Sequence, residues 1–477
     1  QVSLGAIIGS SATNTITING GSAAGTILTH DKTIRNSTLN LSGTSYLTIK
    51  NMTVEATGGT DSWGIHIWNG AHHITIDSNI VTLPVNTTFD RVGIMVSGTE
   101  TSDNSTADVD DVIISNNTVT GGERGISIYG GFTASARSQN LTIHNNDIQN
   151  ADDNGLYIAG YNNVIITDNY VDGLNNSFSD GMYSSDIENF TITGNLMKGG
   201  DNGLEGYDYN FDNTVTSRSL IANNMFIGGD DGLYFDDVEE VDVFHNSCVG
   251  ADYGIFVNDQ VNLDLRNNIF YSDGGDIPFY YLDAATVAFT TFDYNLFYTT
   301  GASIARSSSG NYADVAALQA GLGGNVNSVS GDPVFSNPTT DLHASGTIPN
   351  DAGDNTVGIT VDYDGDTRPL APSTTVDIGA DEFNPPTCLI SFRGANFGVT
   401  NITSTTADIF WDGIAMDHEY EVVPTGVAQG TSGAANIIRT GLDSLTITGL
   451  TQNTQYDFYI REICGRGDTS IWVGPFT

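Results

Sequence analysis

A ladder of asparagines constrains this chain more than any other feature. Each ends a short apolar strand: ITIDSN at Asn79, VIISNN at Asn117, LTIHNN at Asn146, VIITDN at Asn169 and FTITGN at Asn195. The series continues with SLIANN at Asn224, VDVFHN at Asn246, LDLRNN at Asn268 and TTFDYN at Asn295. After the first gap the spacings are 29, 23, 26, 29, 22, 22 and 27 residues. A period in the twenties with strand-like composition marks a solenoid. Each repeat reads strand, Asn turn, second strand, glycine-rich turn and third strand, as in residues 164–195. Strands this short cannot pair within one coil, so each must pair with its equivalents above and below. The expected fold is all-β, a right-handed parallel β-helix of about ten to eleven coils. The asparagines are expected to build it, satisfying turn backbone and stacking coil on coil.

Composition narrows the function classes. Hydrophobic residues make up 39% of the 477, enough for a continuous core, while only 15% are charged. With 15 Lys plus Arg against 57 Asp plus Glu, the net charge of −42 excludes nucleic acid and anionic membrane surfaces as partners. No apolar run is long enough to span a bilayer, so membrane insertion is not expected. The chain starts at Gln1 without a basic region and apolar stretch, which fits a processed, exported protein. Of three cysteines, Cys248 sits in a repeat strand and reads as a buried inert thiol, whereas Cys388 and Cys464 both lie in the last ninety residues and could pair.

Residues 1–34 are expected to cap the first coil and 35–300 to form the coils. Over 301–384 the period fades. YADVAALQAGLG, residues 312–323, is the best helix in the chain. Then come DPVF at 332–335, DLHASG at 341–346, DAG at 351–353, DYDGDTRP at 362–369 and DIGADEF at 377–383. This series resembles the C-terminal cap of many secreted bacterial β-helix proteins, which implies export and carries no activity. DYDGD is expected to be a turn held by its own Asp side chains, with Ca²⁺ chelation as the alternative. NPPT, residues 384–387, is a linker. Residues 385–477 resemble a fibronectin type III domain through Trp411, the Leu445 to Leu450 segment, Tyr456 and Tyr459. That resemblance implies a β-sandwich. Flanking Cys388 and Cys464 are typical of such modules in bacteria that export proteins to the cell surface, which implies an outer-membrane secretion or anchoring machinery as partner, a Cys388–Cys464 disulfide, and a secreted or cell-surface location.

The chemistry is sought by aligning the coils on the glycine that opens one strand: Gly64, Gly93, Gly125, Gly155, Gly181, Gly203, Gly232 and Gly254. An aliphatic residue follows and points inward, so the next must point outward. That outward column reads His66, Met95, Ser127, Tyr157, Tyr183, Glu205, Tyr234, Phe256. Two residues on it reads Trp68, Ser97, Tyr129, Ala159, Ser185, Tyr207, Asp236, Asn258. Acidic columns flank both, with Glu123, Asp153, Asp201, Asp230 and Asp252 before the glycine and Asp186, Asp208, Asp237 and Asp259 after. Rings between carboxylates suit an extracellular polysaccharide, since rings stack on pyranose faces and carboxyls act on glycosidic bonds.

The densest patch spans SDGMYSSD, GGDNGLEGYDY and GGDDGLYFDD. Its catalytic candidates are Glu205, Asp231, Asp236, Asp180, Asp201 and Asp230. Tyr157, Tyr183, Tyr207, Tyr234 and Phe256 are the candidate substrate platform. Glu205 stands out as the carboxylate in an aromatic column, where packing between rings should raise its pKa and suit a general acid. Stacked carboxylates about 5 Å apart cannot all ionise cheaply. No cofactor is required by this reading, though Asp201, Asp230, Asp208 and Asp237 could hold Ca²⁺. The patch resembles in part the polygalacturonase family of β-helix glycosidases, with Asp180-Gly181 and Asp201-Asn202 at fitting positions. It departs from that family at Asn202, at Asp230-Asp231 in place of a His, and in having no Arg-x-Lys strand. Hydrolysis of a polysaccharide by paired carboxylates leads. The alternatives are a non-catalytic adhesive surface protein and a Ca²⁺-dependent polysaccharide lyase, which would need a cation beside a uronate.

Overall fold

The computed structural model of the protein describes all residues except 32–35, 59–60, 86–89, 134, 174–178, 211–217, 283–287, 385–396, 411–416, 428, 430–435, 439–443, 464–469 and 477. Two units divide at residue 384.

The first unit is a right-handed parallel β-helix. Each coil contributes three short strands, for example Asp180–Ser185, Glu188–Thr193 and Leu196–Lys198. Every such strand pairs in parallel with its equivalent one coil on, as in Tyr183 with Glu205, Thr191 with Leu220 and Met197 with Phe226. The third strands form a separate sheet of twelve in chain order. The core is a column of stacked aliphatic residues, among them Ile126, Leu156, Met182, Leu204, Leu233 and Ile255, all at 0% exposure.

Pairing reaches further than the sequence period. Val2–Leu4, Ile16–Asn19 and Ile27–His30 already pair with the next three strands, so residues 1–34 hold a coil of their own. They precede the asparagine series that begins at Asn79, so the repeat does not mark them. At the far end Val329–Ser330 still pairs with the third strand Leu296–Thr299. The helix Val315–Leu322, capped by Asp314 accepting from the Ala317 amide at 2.8 Å, buries Leu318 against the last coils.

The asparagine ladder is a continuous internal hydrogen-bond chain. The Nδ2 of Asn146 donates to Asn169 Oδ1 at 2.9 Å and to the Ile114 carbonyl at 2.9 Å, while its amide also donates to Asn169 Oδ1 at 3.0 Å. The same set recurs through Asn169, Asn195, Asn224, Asn246 and Asn268, and the Asn295 amide ends it on Ser328 Oγ. Each side chain thereby satisfies backbone groups of the preceding coil and its own, and links to the asparagine side chain of the next.

Residues 332–383 fold back along the third sheet, where Leu342 and Ala380 pack against Leu196, Met225, Ile227 and Val249. The cap motif explains itself here. Arg368 is fully buried and pairs with Glu382 at 2.6 Å, and Glu382 also accepts from the Asp377 and Leu370 amides. Removing one partner of a buried pair strands the other. Glu382→Gln is therefore expected to cost about 3–5 kcal/mol in denaturant unfolding. Asp362 accepts from the Asp366 and Glu382 amides, the self-stabilised turn expected of DYDGD.

The second unit has two antiparallel sheets among its described residues. One contains Gly398–Thr400, Thr406–Phe410 and Ser444–Thr448; the other orders Asn436–Ile438, Asp417–Pro424, Tyr456–Ile463 and Val473–Phe476. Ile409 and Ile447 from one meet Phe458 and Ile460 from the other. The Thr451 amide donates to the Tyr456 hydroxyl at 2.9 Å. Cys388, Cys464 and Trp411 lie outside the described residues, so their expected roles do too. Cys248 is a free, fully buried thiol.

Candidate functional site

The glycine column is set by close approach. A Cβ on Gly203 would meet the Gly232 carbonyl at 2.6 Å and the Ile227 amide at 2.7 Å, and Gly181 and Gly232 are as crowded. With glycine there, the strand passes close to the third sheet and presents its following residues in strict register. Tyr157, Tyr183, Glu205, Tyr234 and Phe256 align across five coils, as do Ala159, Ser185, Tyr207, Asp236 and Asn258.

The rings form an unbroken stripe. Tyr129 stacks on Tyr157 at 6.0 Å and Tyr157 on Tyr183 at 5.0 Å, within 8° of parallel. Tyr183 meets Tyr207, Tyr207 meets Tyr234, and Tyr234 stacks on Phe256 at 4.7 Å. From Tyr129 to Tyr280 the stripe covers about 29 Å at a strand spacing of about 4.8 Å. Phe256 is buried under Tyr234, Tyr253 and Tyr280, so it supports the platform and offers little surface. Arg124, one coil before Tyr157, lies over that ring at 4.5 Å and pairs with Asp153.

Glu205 sits inside the stripe, half-buried, accepting from the Tyr207 hydroxyl at 2.8 Å. Beside it is Asp180, from the preceding coil and in hydrogen-bond contact with it. Burial, then the Glu205 charge, pushes Asp180 up to about 9, so Asp180 keeps its proton at neutral pH. Asn154 Nδ2 donates to one Asp180 oxygen at 3.0 Å, and the amide and Nδ2 of Asn202 donate to the other. Asn154 was not singled out from the sequence, and Asn202 was noted only as a departure from the polygalacturonase pattern. Their signal was a column immediately before the glycines, reading Asn154, Asp180, Asn202, Asp231.

The other candidates separate by depth. Asp231 is buried, has one oxygen without a hydrogen-bond partner, and is pushed up to about 8 by burial and by Asp252. Asp201 is raised to about 6 by burial and by contact with exposed Asp230. Asp236 is half-buried and accepts from Asn258 Nδ2 at 2.7 Å. Asp208 and Asp237 lie at the opposite end of the strand from Asp201 and Asp230, about 23 Å away at strand rise. The four cannot share one ion. Asp186, Asp208, Asp237 and Asp259 all adopt left-handed backbone, with φ between 36° and 54°, and so turn the corner into the second strand.

Asp231 makes a pH-dependent contribution to stability. Its folded pKa lies above the unfolded value of about 3.9, so the folded state binds the extra proton. That stabilisation is complete below about pH 4 and lost as pH rises through about 8. Asp231→Asn should raise the calorimetric Tm by several degrees at pH 9 and leave it unchanged at pH 4.

The N-terminal part of the same face is closed. His66, Met95, Ser97 and Ser127 are all at 0% exposure. Glu100 accepts from Asn40, and Asp103 faces Arg124 at 3.8 Å, so the segment carrying them reaches across this end. His66 stacks on Trp68 and bonds Ser97, and burial depresses its pKa to about 3. It serves packing.

Residues 37–229 and 134–316 match the family described as right handed beta helix region, and the chain belongs to that family. No curated protein matches by sequence. Among solved structures, the mannuronan C-5 epimerase A-module of Azotobacter vinelandii is similar at 15% identity and TM-score 0.40, over 62% of this chain and 81% of that one. A Streptococcus pneumoniae surface protein and adhesin is similar at 14% identity and TM-score 0.32, over 47% and 64%. The Dettilon tailspike protein is similar at 10% identity and TM-score 0.38, over 94% and 87%. No helix among the described residues is long and apolar enough to cross a membrane.

Proposed function

We propose that this right-handed β-helix protein is an extracellular polysaccharide-active protein that hydrolyses a glycan laid along the tyrosine stripe. The observation that carries this is the pairing of Asp180, which burial keeps protonated, with Glu205 inside a continuous aromatic platform. Glu205, oriented by Tyr207, delivers the proton to the glycosidic oxygen. Asp180 holds the proton in reserve, and its asparagine clamp keeps it there. The second carboxyl must stand across the sugar. Asp236 lies one coil on and two residues along, a backbone separation of about 8 Å from strand spacing and rise, which leaves room for an attacking water. It takes that water's proton, so the bond broken is sugar C–O and the bond formed is C–O to water. The second unit fits a fibronectin type III module through its two sheets and the Tyr456 corner.

One observation favours a second reading, an adhesive surface protein. Asp180 and Glu205 touch, so no sugar fits between these two. Without Asp236 in play the face would grip a glycan and leave it intact. Binding isolates the platform from the chemistry. Tyr183→Ala and Tyr234→Ala should each weaken oligosaccharide affinity about tenfold, or about 1.4 kcal/mol, by calorimetric titration. Unchanged affinity in both would remove the stripe as the glycan site.

A further inference from the structure

The C-terminal segment brings together a second set of ionisable side chains, far in sequence from the tyrosine stripe. His343, Asp364 and Asp381 place one ligand atom each within 4.8 Å of one another. They come from three stretches: the strand Asp341–Ala344, the 362–366 turn and the DIGADEF run. Asp341 contacts His343 Nδ1, while Nε2 faces Asp364 Oδ2 at 3.1 Å. A carboxylate on one ring nitrogen is the arrangement that fixes tautomer and orientation of a metal-ligating histidine. Three carboxylates therefore surround a single imidazole, and the nearby Arg368 is committed to Glu382.

Asp381 supplies the independent observation. It is 8% exposed, yet no hydrogen-bond donor reaches its carboxylate among the described residues, although its neighbours Asp377, Asp362 and Glu382 each accept backbone amides. A carboxylate this buried with no protein donor can take a cation as partner, in addition to the His343 and Arg368 charges that already act on it. One imidazolium would balance one acid of the three. We infer that His343, Asp364 and Asp381 bind a single divalent transition-metal ion, with Asp341 orienting the histidine from behind. One nitrogen with two carboxylates favours Zn²⁺ over Ca²⁺, which takes six or more oxygens. A tetrahedral site has ligand edges of about 3.4 Å, so the side chains must draw in by about 1 Å. Leu342 and Ala380, each one residue before a ligand, pack on the third sheet, so the ion would clamp the returning segment onto the coils.

The test is calorimetric titration of the full chain, stripped with chelator, with ZnCl₂ and separately with CaCl₂. One equivalent of Zn²⁺ should bind saturably and raise the Tm. His343→Ala and Asp381→Asn should each weaken binding at least tenfold while retaining the wild-type circular dichroism. Asp237→Asn, in the exposed Asp236–Asp237–Asp259 group, should leave it unchanged. Should both variants misfold, Co²⁺ added to the wild type must still give the visible absorption of a low-symmetry nitrogen–oxygen site. Absence of saturable Zn²⁺ binding, a preference for Ca²⁺, or affinity unchanged in both folded variants would overturn the proposal.

Discussion

On the proposed hydrolytic reading, Glu205→Gln is expected to lose about a thousandfold in polysaccharide turnover, within the range of about 10²–10⁴ that a positioned general acid contributes. Its substrate affinity stays within about threefold of wild type, because the rings that carry binding are untouched. The split follows from the site. Glutamine keeps the shape and still accepts the Tyr207 hydroxyl, but it cannot pass on the proton held by Asp180. Asp180→Asn should cost less, about tenfold to a hundredfold, since Glu205 remains and loses only its proton reserve. The pH profile separates the roles. Asp180 holds its proton up to about pH 9, so activity that draws on this reserve should fall as pH rises through about 9, and Asp180→Asn should lack that limb. Initial rates by reducing-end assay across pH measure both effects. Equal loss of turnover and binding in Glu205→Gln would mean that the residue only supports the platform.

Asn195→Ala is, with Glu382→Gln, among the largest stability lesions expected away from the face, about 3–5 kcal/mol. Asn195 Oδ1 accepts from both the amide and the Nδ2 of Asn169, and its own Nδ2 donates to the Ile166 and Thr193 carbonyls and to Asn224. Alanine takes a partner from the Asn169 amide and the Ile166 carbonyl on the preceding coil and from the Thr193 carbonyl on its own, and breaks the side-chain link to Asn224 on the next. Each stranded group costs about 1–3 kcal/mol. Coil-to-coil coupling is what holds a solenoid together, so the lesion also divides the unit into two less cooperative halves. Thr191→Ala, on the outward side of the same coil, should stay within about 0.5 kcal/mol. Urea unfolding measures the first difference, and hydrogen exchange shows protection lost on both sides of coil Asp180–Lys198. A cost near 1 kcal/mol with unchanged cooperativity would mean that water replaces the asparagine.

Much of this architecture was legible because two periods coincide. The asparagines mark one corner of every coil, and period two counted from the crowded glycines placed Tyr183, Glu205 and Tyr234 in one column, the register observed. What escaped depends on contacts between residues distant in sequence. Asp180 and Glu205 stand on adjacent coils, three residues apart in register, and meet only through their side chains, while Asn154 and Asn202 matter only as the donors around Asp180. His66 shares a column with the tyrosines, yet the segment bearing Glu100 and Asp103 closes that end. Asp208 and Asp237 read as possible ligands because carboxylates stack in their column, and what the sequence did not reveal is that Asp186, Asp208, Asp237 and Asp259 all adopt left-handed corners. The coil within residues 1–34 precedes the asparagine series that begins at Asn79, so the repeat did not mark it.

The most direct test is product formation by the wild-type protein across plant, algal and bacterial polysaccharides, neutral and acidic, with and without EDTA. Reducing ends and ultraviolet absorbance would be followed together. The account predicts new reducing ends from at least one glycan, no absorbance from unsaturated sugars, and no effect of EDTA on rate. Absorbance abolished by EDTA would instead indicate elimination assisted by a cation. No release from any glycan that binds the tyrosine stripe would contradict hydrolysis and leave an adhesive surface.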